Sequence, residues 1–116
     1  MRTNFSGNPL VIKCISFSLS VIRYVELLEE RRKFVVAKQL LKSATAIGAN
    51  VMEAQSAESK ADFIHKLKIA DKEAYETWYW LLLCEQSESY PFDTTLSSDL
   101  NEIMRLLNSI INKSKN

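Results

Sequence analysis

An all-α domain, arranged as an up-down-up-down four-helix bundle, is what this sequence predicts, on three observations. Apolar residues recur three or four positions apart in four successive stretches, the step that stacks side chains on one helix face. Only two glycines and two prolines occur in 116 residues, too few for the tight turns of a hairpin-based β fold. Short polar segments join the stretches, so each helix folds back against the one before it. A chain of this length makes one domain, residues 1–116, whose core needs neither disulfides nor a structural metal.

The elements follow in order. Residues 1–7 read as a frayed terminus, and Asn8 before Pro9 reads as an N-cap with proline at the first helical position, where a missing N–H costs nothing. The first helix, about 9–30, carries the stripe Leu10, Cys14, Phe17, Val21, Tyr24 and Leu28; Val11, Ile15, Ile22 and Val25 widen it, which predicts an unusually broad buried face. Residues 29–33 form a charged break without a glycine cap. The second helix, about 34–55, bears Ala44, Ile47, Val51 and Ala54, and Gly48 inside it sacrifices about 1 kcal/mol of helix propensity, which predicts a neighbouring backbone close by. Ser59 and Asp62 supply the start signal of a third helix, about 60–88, with the stripe Phe63, Leu67, Ala70, Ala74 and Leu81. Tyr90, Pro91 and Phe92 interrupt it. A fourth helix, about 95–113, displays Leu100, Ile103, Leu107, Ile110 and Ile111, and the lysine-rich end 113–116 is expected to fray.

On a helical projection Ile69 and Trp80 fall about 100–120° from the main stripe of the third helix, on the flank that also holds Asp62, Glu73 and Glu76. This placement predicts a second buried contact, with another copy of the chain. Two other readings are a wider buried arc within one bundle and a Trp80 ring lying flat on the surface.

Several function classes find no support. The apolar run Cys14 to Ile22 is nine residues between Lys13 and Arg23, too short to span a membrane and without a signal-peptidase site, so a cytoplasmic protein with no membrane partner is expected. Cys14 and Cys84 sit among apolar neighbours as reduced core thiols, and His65 is the single histidine, on a polar face. No phosphate loop, dinucleotide fingerprint or nucleophile elbow occurs, so neither cofactor nor small-molecule substrate is expected. Glu53, Glu73 and Glu76 are the one carboxylate group suggestive of catalysis. Di-iron bundles use Glu-x-x-His pairs, however, and Glu73 is followed at that spacing by Glu76, which favours structural polar contacts over metal or acid–base chemistry. Asn50 reads the same way, as an amide that fixes helix register.

Net charge is +1, yet residues 1–50 carry eight lysines and arginines against three carboxylates, and residues 51–116 carry seven against eleven. Arg31, Arg32, Lys33, Lys38 and Lys42 form the densest cationic cluster and the candidate nucleic-acid surface; the competing reading is a solvated corner near a helix C-terminus.

Gln39-Leu40-Leu41-Lys42-Ser43, Ile47-Gly48-Ala49-Asn50 leading to Glu53-Ala54, Ala57-Glu58-Ser59-Lys60, Asp62-Phe63-Ile64-His65-Lys66-Leu67, Ile69-Ala70, Lys72-Glu73-Ala74 and Glu76-Thr77 closely resemble the bacterial four-helix bundle family first linked to intervening sequences in large-subunit ribosomal RNA genes. The resemblance implies a small, cytoplasmic, non-enzymatic, ribosomal-protein-like bundle whose relatives assemble as barrel-shaped homopentamers. A related branch resembles the accessory protein of diversity-generating retroelements, which binds nucleic acid through a basic surface; the near-neutral charge here departs from that branch. The expected function is therefore an oligomeric scaffold associated with RNA or DNA, with Asn50, Glu53, Asp62, Ile69, Glu73, Glu76 and Trp80 in contacts within or between subunits. The alternative is a protein-interaction module that uses an apolar groove or the aromatic side of the third helix.

Overall fold

The computed structural model describes residues 7–115 as four helices, α1 (Pro9–Glu30), α2 (Phe34–Ala54), α3 (Lys60–Gln86) and α4 (Thr94–Ser114), with no strand among the described residues. Three of the helices start on side-chain caps that satisfy first-turn N–H groups. Asn8 Oδ1 accepts from the Val11 N–H at 3.2 Å, Ser59 Oγ from the Asp62 N–H at 3.0 Å, and Asp93 Oδ1 from the Thr95 N–H at 2.9 Å. Asp62 answers by accepting the Glu58 N–H at 3.2 Å. The Thr95 hydroxyl and N–H hold the Asp93 carboxyl below the usual range.

α1 ends by a different device. The Lys33 N–H reaches back to the Leu28 carbonyl at 2.8 Å and the Arg32 N–H to the Glu29 carbonyl at 2.9 Å, the paired bonds of a Schellman motif. That motif needs a left-handed residue, and Arg32 supplies it at φ 62° in place of the customary glycine. α3 stops at Gln86, two residues before the expected end, because Ser87 takes an extended conformation. α4 runs through Lys113 and Ser114, where fraying was expected, with the Ser114 hydroxyl donating to the Ile110 carbonyl at 2.7 Å. The remaining terminal expectations, at 1–6 and 116, lie outside the described residues.

Contact register establishes the topology. Between α1 and α4, Lys13 meets Glu102 at 2.7 Å and Tyr24 donates to the Pro91 carbonyl at 2.6 Å, so one number falls as the other rises: the helices are antiparallel. The same reversal holds between α2 and α3, where Glu53 meets Lys66 and Ser43 meets Thr77. Each helix packs on two neighbours, α1 and α3 both on α2 and α4, while the diagonal pairs make no close backbone approach. The result is an up-down-up-down bundle of 46 × 30 × 20 Å.

Leu28, Leu40, Leu67, Leu81 and Leu107 are fully buried in its core. Truncating such a side chain to alanine costs about 2 to 5 kcal/mol. Small residues line the α2–α3 seam: Ala37, Ala44, Ala70 and Ala74 are buried, and so are the hydroxyls of Ser43 and Thr77. These two oxygens lie 2.9 Å apart. Thr77 Oγ1 is also 2.8 Å from the Glu73 carbonyl, and Ser43 Oγ is 3.4 Å from the Leu40 carbonyl. One proton per hydroxyl suffices to link the pair and cap one of those carbonyls, so neither polar atom is stranded in the core.

One expectation about buried faces needs correction, and one open choice narrows. Ile15 and Ile22 were expected to widen the buried face of α1, but they are 41% and 38% exposed; only Val11 and Val25 of the widening set are buried. Neighbours cover α1 from α2 and α4 alone, so the side opposite the core stays open. Trp80, expected in a second buried contact with another copy or in a wider buried arc, is half-buried against the core of its own bundle, as the wider arc requires. Thr77 and Cys84, three residues before and four after it, are buried, so the covered arc of α3 extends toward Trp80 beyond the apolar stripe.

Arg32→Gly removes the cost of a left-handed non-glycine residue and is expected to raise unfolding free energy by about 1 kcal/mol in urea titration, with the m-value unchanged. For the seam, Thr77→Val leaves the Ser43 hydroxyl poorly paired and is expected to cost about 1 to 2 kcal/mol. The double variant Ser43→Ala/Thr77→Val should lose less than the two single losses together, giving a coupling energy of about 0.5 to 1.5 kcal/mol in a double-mutant cycle.

Candidate functional site

The cationic cluster is organised by the α1–α2 turn. Arg31 and Arg32 are exposed on it, directly after the exposed Glu29 and Glu30. Lys33 is half-buried, with Nζ 5.4 Å from the centre of the Tyr90 ring on the α3–α4 connection, close enough for a cation–π contact. Lys38 and Lys42 are exposed one turn apart on α2. Charge is thus spread from the corner of the bundle along the first part of α2, an arrangement suited to an extended anion rather than to one small ligand.

The carboxylates do not form a site of their own. Glu53 pairs with Lys66 at 2.9 Å, which ties α2 to α3 and pushes the Lys66 pKa up. Asp62 serves the start of α3, and Glu76 accepts the Trp80 indole N–H at 3.1 Å. Glu73 is half-buried and Ile69 likewise. Asn50, half-buried on α2, donates to the Ala46 carbonyl of its own helix at 2.9 Å. His65 is exposed on a separate face. Among the described residues no three His, Cys, Asp or Glu side chains converge as ligands for a metal ion would. Both cysteines are free and buried, and burial pushes the Cys14 thiol up to about 12 and the Cys84 thiol up as well, so neither is an activated nucleophile.

Apolar surface is the feature that the periodicity reading underweighted. Ile12, Ile15, Leu19 and Ile22 of α1 are exposed together, Leu19 at 51%, and Met52 of α2 lies near them. Their 3-4-3 spacing is itself a helical stripe, rotated from the core stripe, and would have revealed the face if the two sets had been separated. Between α1 and α2 runs an apolar groove of about 330 Å³ floored by Ser18, Gly48 and Ala49 and edged by Ile15, Leu19 and Met52. A Cβ on Gly48 would meet Cys14 Cβ at 3.4 Å and Ser18 Oγ at 3.6 Å, so α1 is the close neighbour that this glycine predicted. On α3 the exposed large side chains are Tyr75, Trp78, Tyr79, Leu82 and Leu83.

These features define a class: a small helical bundle with a cationic corner, uncovered apolar faces and no convergent reactive cluster among its described residues. The sequence pattern of the 23S rRNA-intervening sequence protein family matches residues 9–109, and the chain belongs to that family. Its structure is similar to the crystal structure of a protein of unknown function from the S23 ribosomal protein family of Bacteroides thetaiotaomicron, at 43% identity and a TM-score of 0.83, over 88% of this chain and 97% of that one. No curated protein matches the chain. Among the described residues no helix is long and apolar enough to cross a membrane.

Proposed function

We propose that this chain is a non-enzymatic, cytoplasmic scaffold that self-associates and binds RNA or DNA. Self-association is supported by the α1 face: Ile12, Ile15, Leu19 and Ile22 are exposed on one side of the bundle, and Ile15 and Leu19 border a groove with Met52, a concentration of open hydrocarbon unusual for a solitary small domain. The relatives implied by the sequence resemblance form homopentamers, and a ring of five is the assembly proposed here. The Trp80 flank, nominated from sequence for this contact, is the weaker candidate because its ring already packs on its own bundle.

The observation that carries nucleic-acid binding is Arg32. An exposed arginine occupies the left-handed position where glycine is more stable, and it does so between two further cations. Stability is sacrificed there for a charge. Repeating Arg31, Arg32, Lys38 and Lys42 around a ring multiplies the phosphates met at once, so a chain with near-neutral net charge still offers a strong local field. The engagement of Glu53 with Lys66 and of Glu76 with the Trp80 indole, in separate local contacts, supports a binding role over a catalytic one.

Light scattering of the purified protein should give a mass that is a multiple of 13.3 kDa, and Ile15→Glu with Leu19→Glu should reduce it to one unit with helical content unchanged by circular dichroism. A single-unit mass for the unaltered chain at high concentration overturns the assembly. For the ligand, Arg31→Gln, Arg32→Gln and Lys33→Gln together should weaken nucleic-acid binding and lower the slope of log affinity against log salt by roughly 2 to 3. An unchanged slope assigns the binding elsewhere.

A further inference from the structure

A second surface combines cations with exposed aromatic rings, and it lies along the α3–α4 side, away from the aliphatic face of α1. At one end is an open groove of about 510 Å³ in which Lys60, His65 and Lys68 of α3 and Lys115 after α4 surround the side chain of Ile64. Farther along the same helix pair is a second groove of about 500 Å³, edged by Tyr75, Asn101, Arg105 and Asn108. No carboxylate lines either groove. Asp71 lies between them and accepts from Asn108 Nδ2 at 3.3 Å, and burial pushes its carboxyl upward. Glu102, near Arg105, is turned to Lys13, and Glu76 to the Trp80 indole.

Spacing joins the two grooves. Lys68, Lys72, Tyr75 and Tyr79 follow a 4-3-4 step and are all exposed, so lysines lead directly into aromatic rings along one strip of α3. Lys68 and Tyr75 are about 10 Å apart along the axis at 1.5 Å per residue. Tyr75 and Trp78 are 57% and 38% exposed, with ring centres 6.3 Å apart and planes tilted by 33°. Rings that only packed a core would not stand open beside lysines, and lysines that only solvated a helix would not need rings. A positive groove that tracks a backbone, next to aromatic faces on which bases stack, is the physical recipe for binding a single strand with little sequence preference.

We propose that the α3–α4 face is a track for single-stranded nucleic acid, in which Lys68, Lys72, Lys115 and Arg105 meet phosphates and Tyr75 and Trp78 stack bases. The exposed Asn101 amide and the amide oxygen of Asn108, whose Nδ2 donates to Asp71 and to the Met104 carbonyl, offer hydrogen bonds to sugar or base edges along the way. This rests on the nucleic-acid reading above but places a separate contact, distinct from the Arg31–Lys33 corner, and selects single strands over duplex because paired bases cannot reach a side-chain ring.

The test uses the full-length protein with a fluorescein-labelled twenty-nucleotide oligothymidylate or oligouridylate, and a duplex of equal length, read by anisotropy across a salt series. Tyr75→Ala with Trp78→Ala should weaken single-strand binding about tenfold or more while leaving the salt slope and duplex binding nearly unchanged, and Tyr75→Phe with Trp78→Phe should restore most of it. Lys68→Gln with Lys115→Gln should lower the salt slope by roughly one to two. In a Trp80→Phe background, Trp78 fluorescence should be quenched as the strand binds. If these variants bind as the unaltered chain does while the Arg31/Arg32/Lys33 variant loses binding, the track is wrong and the corner stands. If no nucleic acid binds at low salt, both are wrong. If the aromatic variants change the mass in light scattering instead of the affinity, the face is a subunit contact and the track is overturned.

Discussion

Close approach of α2 to α3 along a seam of small side chains is the constraint on which the rest of this bundle is built. Ala37 and Ala44 of α2 and Ala70 and Ala74 of α3 are small and buried, and where larger side chains would hold the helices apart, Ser43 and Thr77 share a bond at 2.9 Å instead. Packing this tight gains dispersion contacts that a looser seam would forfeit. It also places two hydroxyls where neither can reach water, so their two protons must link the pair and cap one carbonyl of a preceding turn. With this pair joined, α1 and α4 add one on each side. The Glu53–Lys66 pair and the Asp62 cap then hold the connecting corner.

That geometry explains where function is available. Two helices brought together by small residues leave their outer flanks broad, and in a bundle 20 Å across its short axis much of each helix meets solvent. On α1 the open flank is aliphatic; on α3 it is aromatic and leads into lysines. Hydrocarbon of the first kind is best satisfied by another protein surface, whereas rings beside ammonium groups suit a ligand that is both flat and anionic. The Arg31–Lys33 turn adds a cationic corner at the opposite end from Lys60 and Lys115. A bundle with these surfaces has its chemistry on the outside, and its core serves to hold them at fixed spacing.

Helices, caps and the greater part of the core were legible in the residues, because they depend on neighbours in sequence. Asn8, Ser59 and the stripes of α1, α2 and α4 are local signals, and the structure uses them nearly as written. Family membership was legible too, from the run between Gln39 and Thr77 that the family pattern also spans. The misses share a cause. A projection gives the direction of Ile15 or Trp80 but not how far the neighbouring helices wrap round, so Ile15 was placed in the core, where the structure leaves it open, and Trp80 was left between a subunit contact and a wider buried arc.

By itself, then, the sequence determined that this chain forms four amphipathic helices, where each begins, and most of the residues that face inward, since hydrophobic period and capping chemistry act over a few residues. Only the tertiary structure decided that Arg32 would turn left-handed, that the α1 aliphatics would remain open, and that lysines of α3, a lysine beyond α4 and two aromatic rings would share one face. Those outcomes depend on how four separate helix pairs seat against one another, and no stretch of residues carries that information alone.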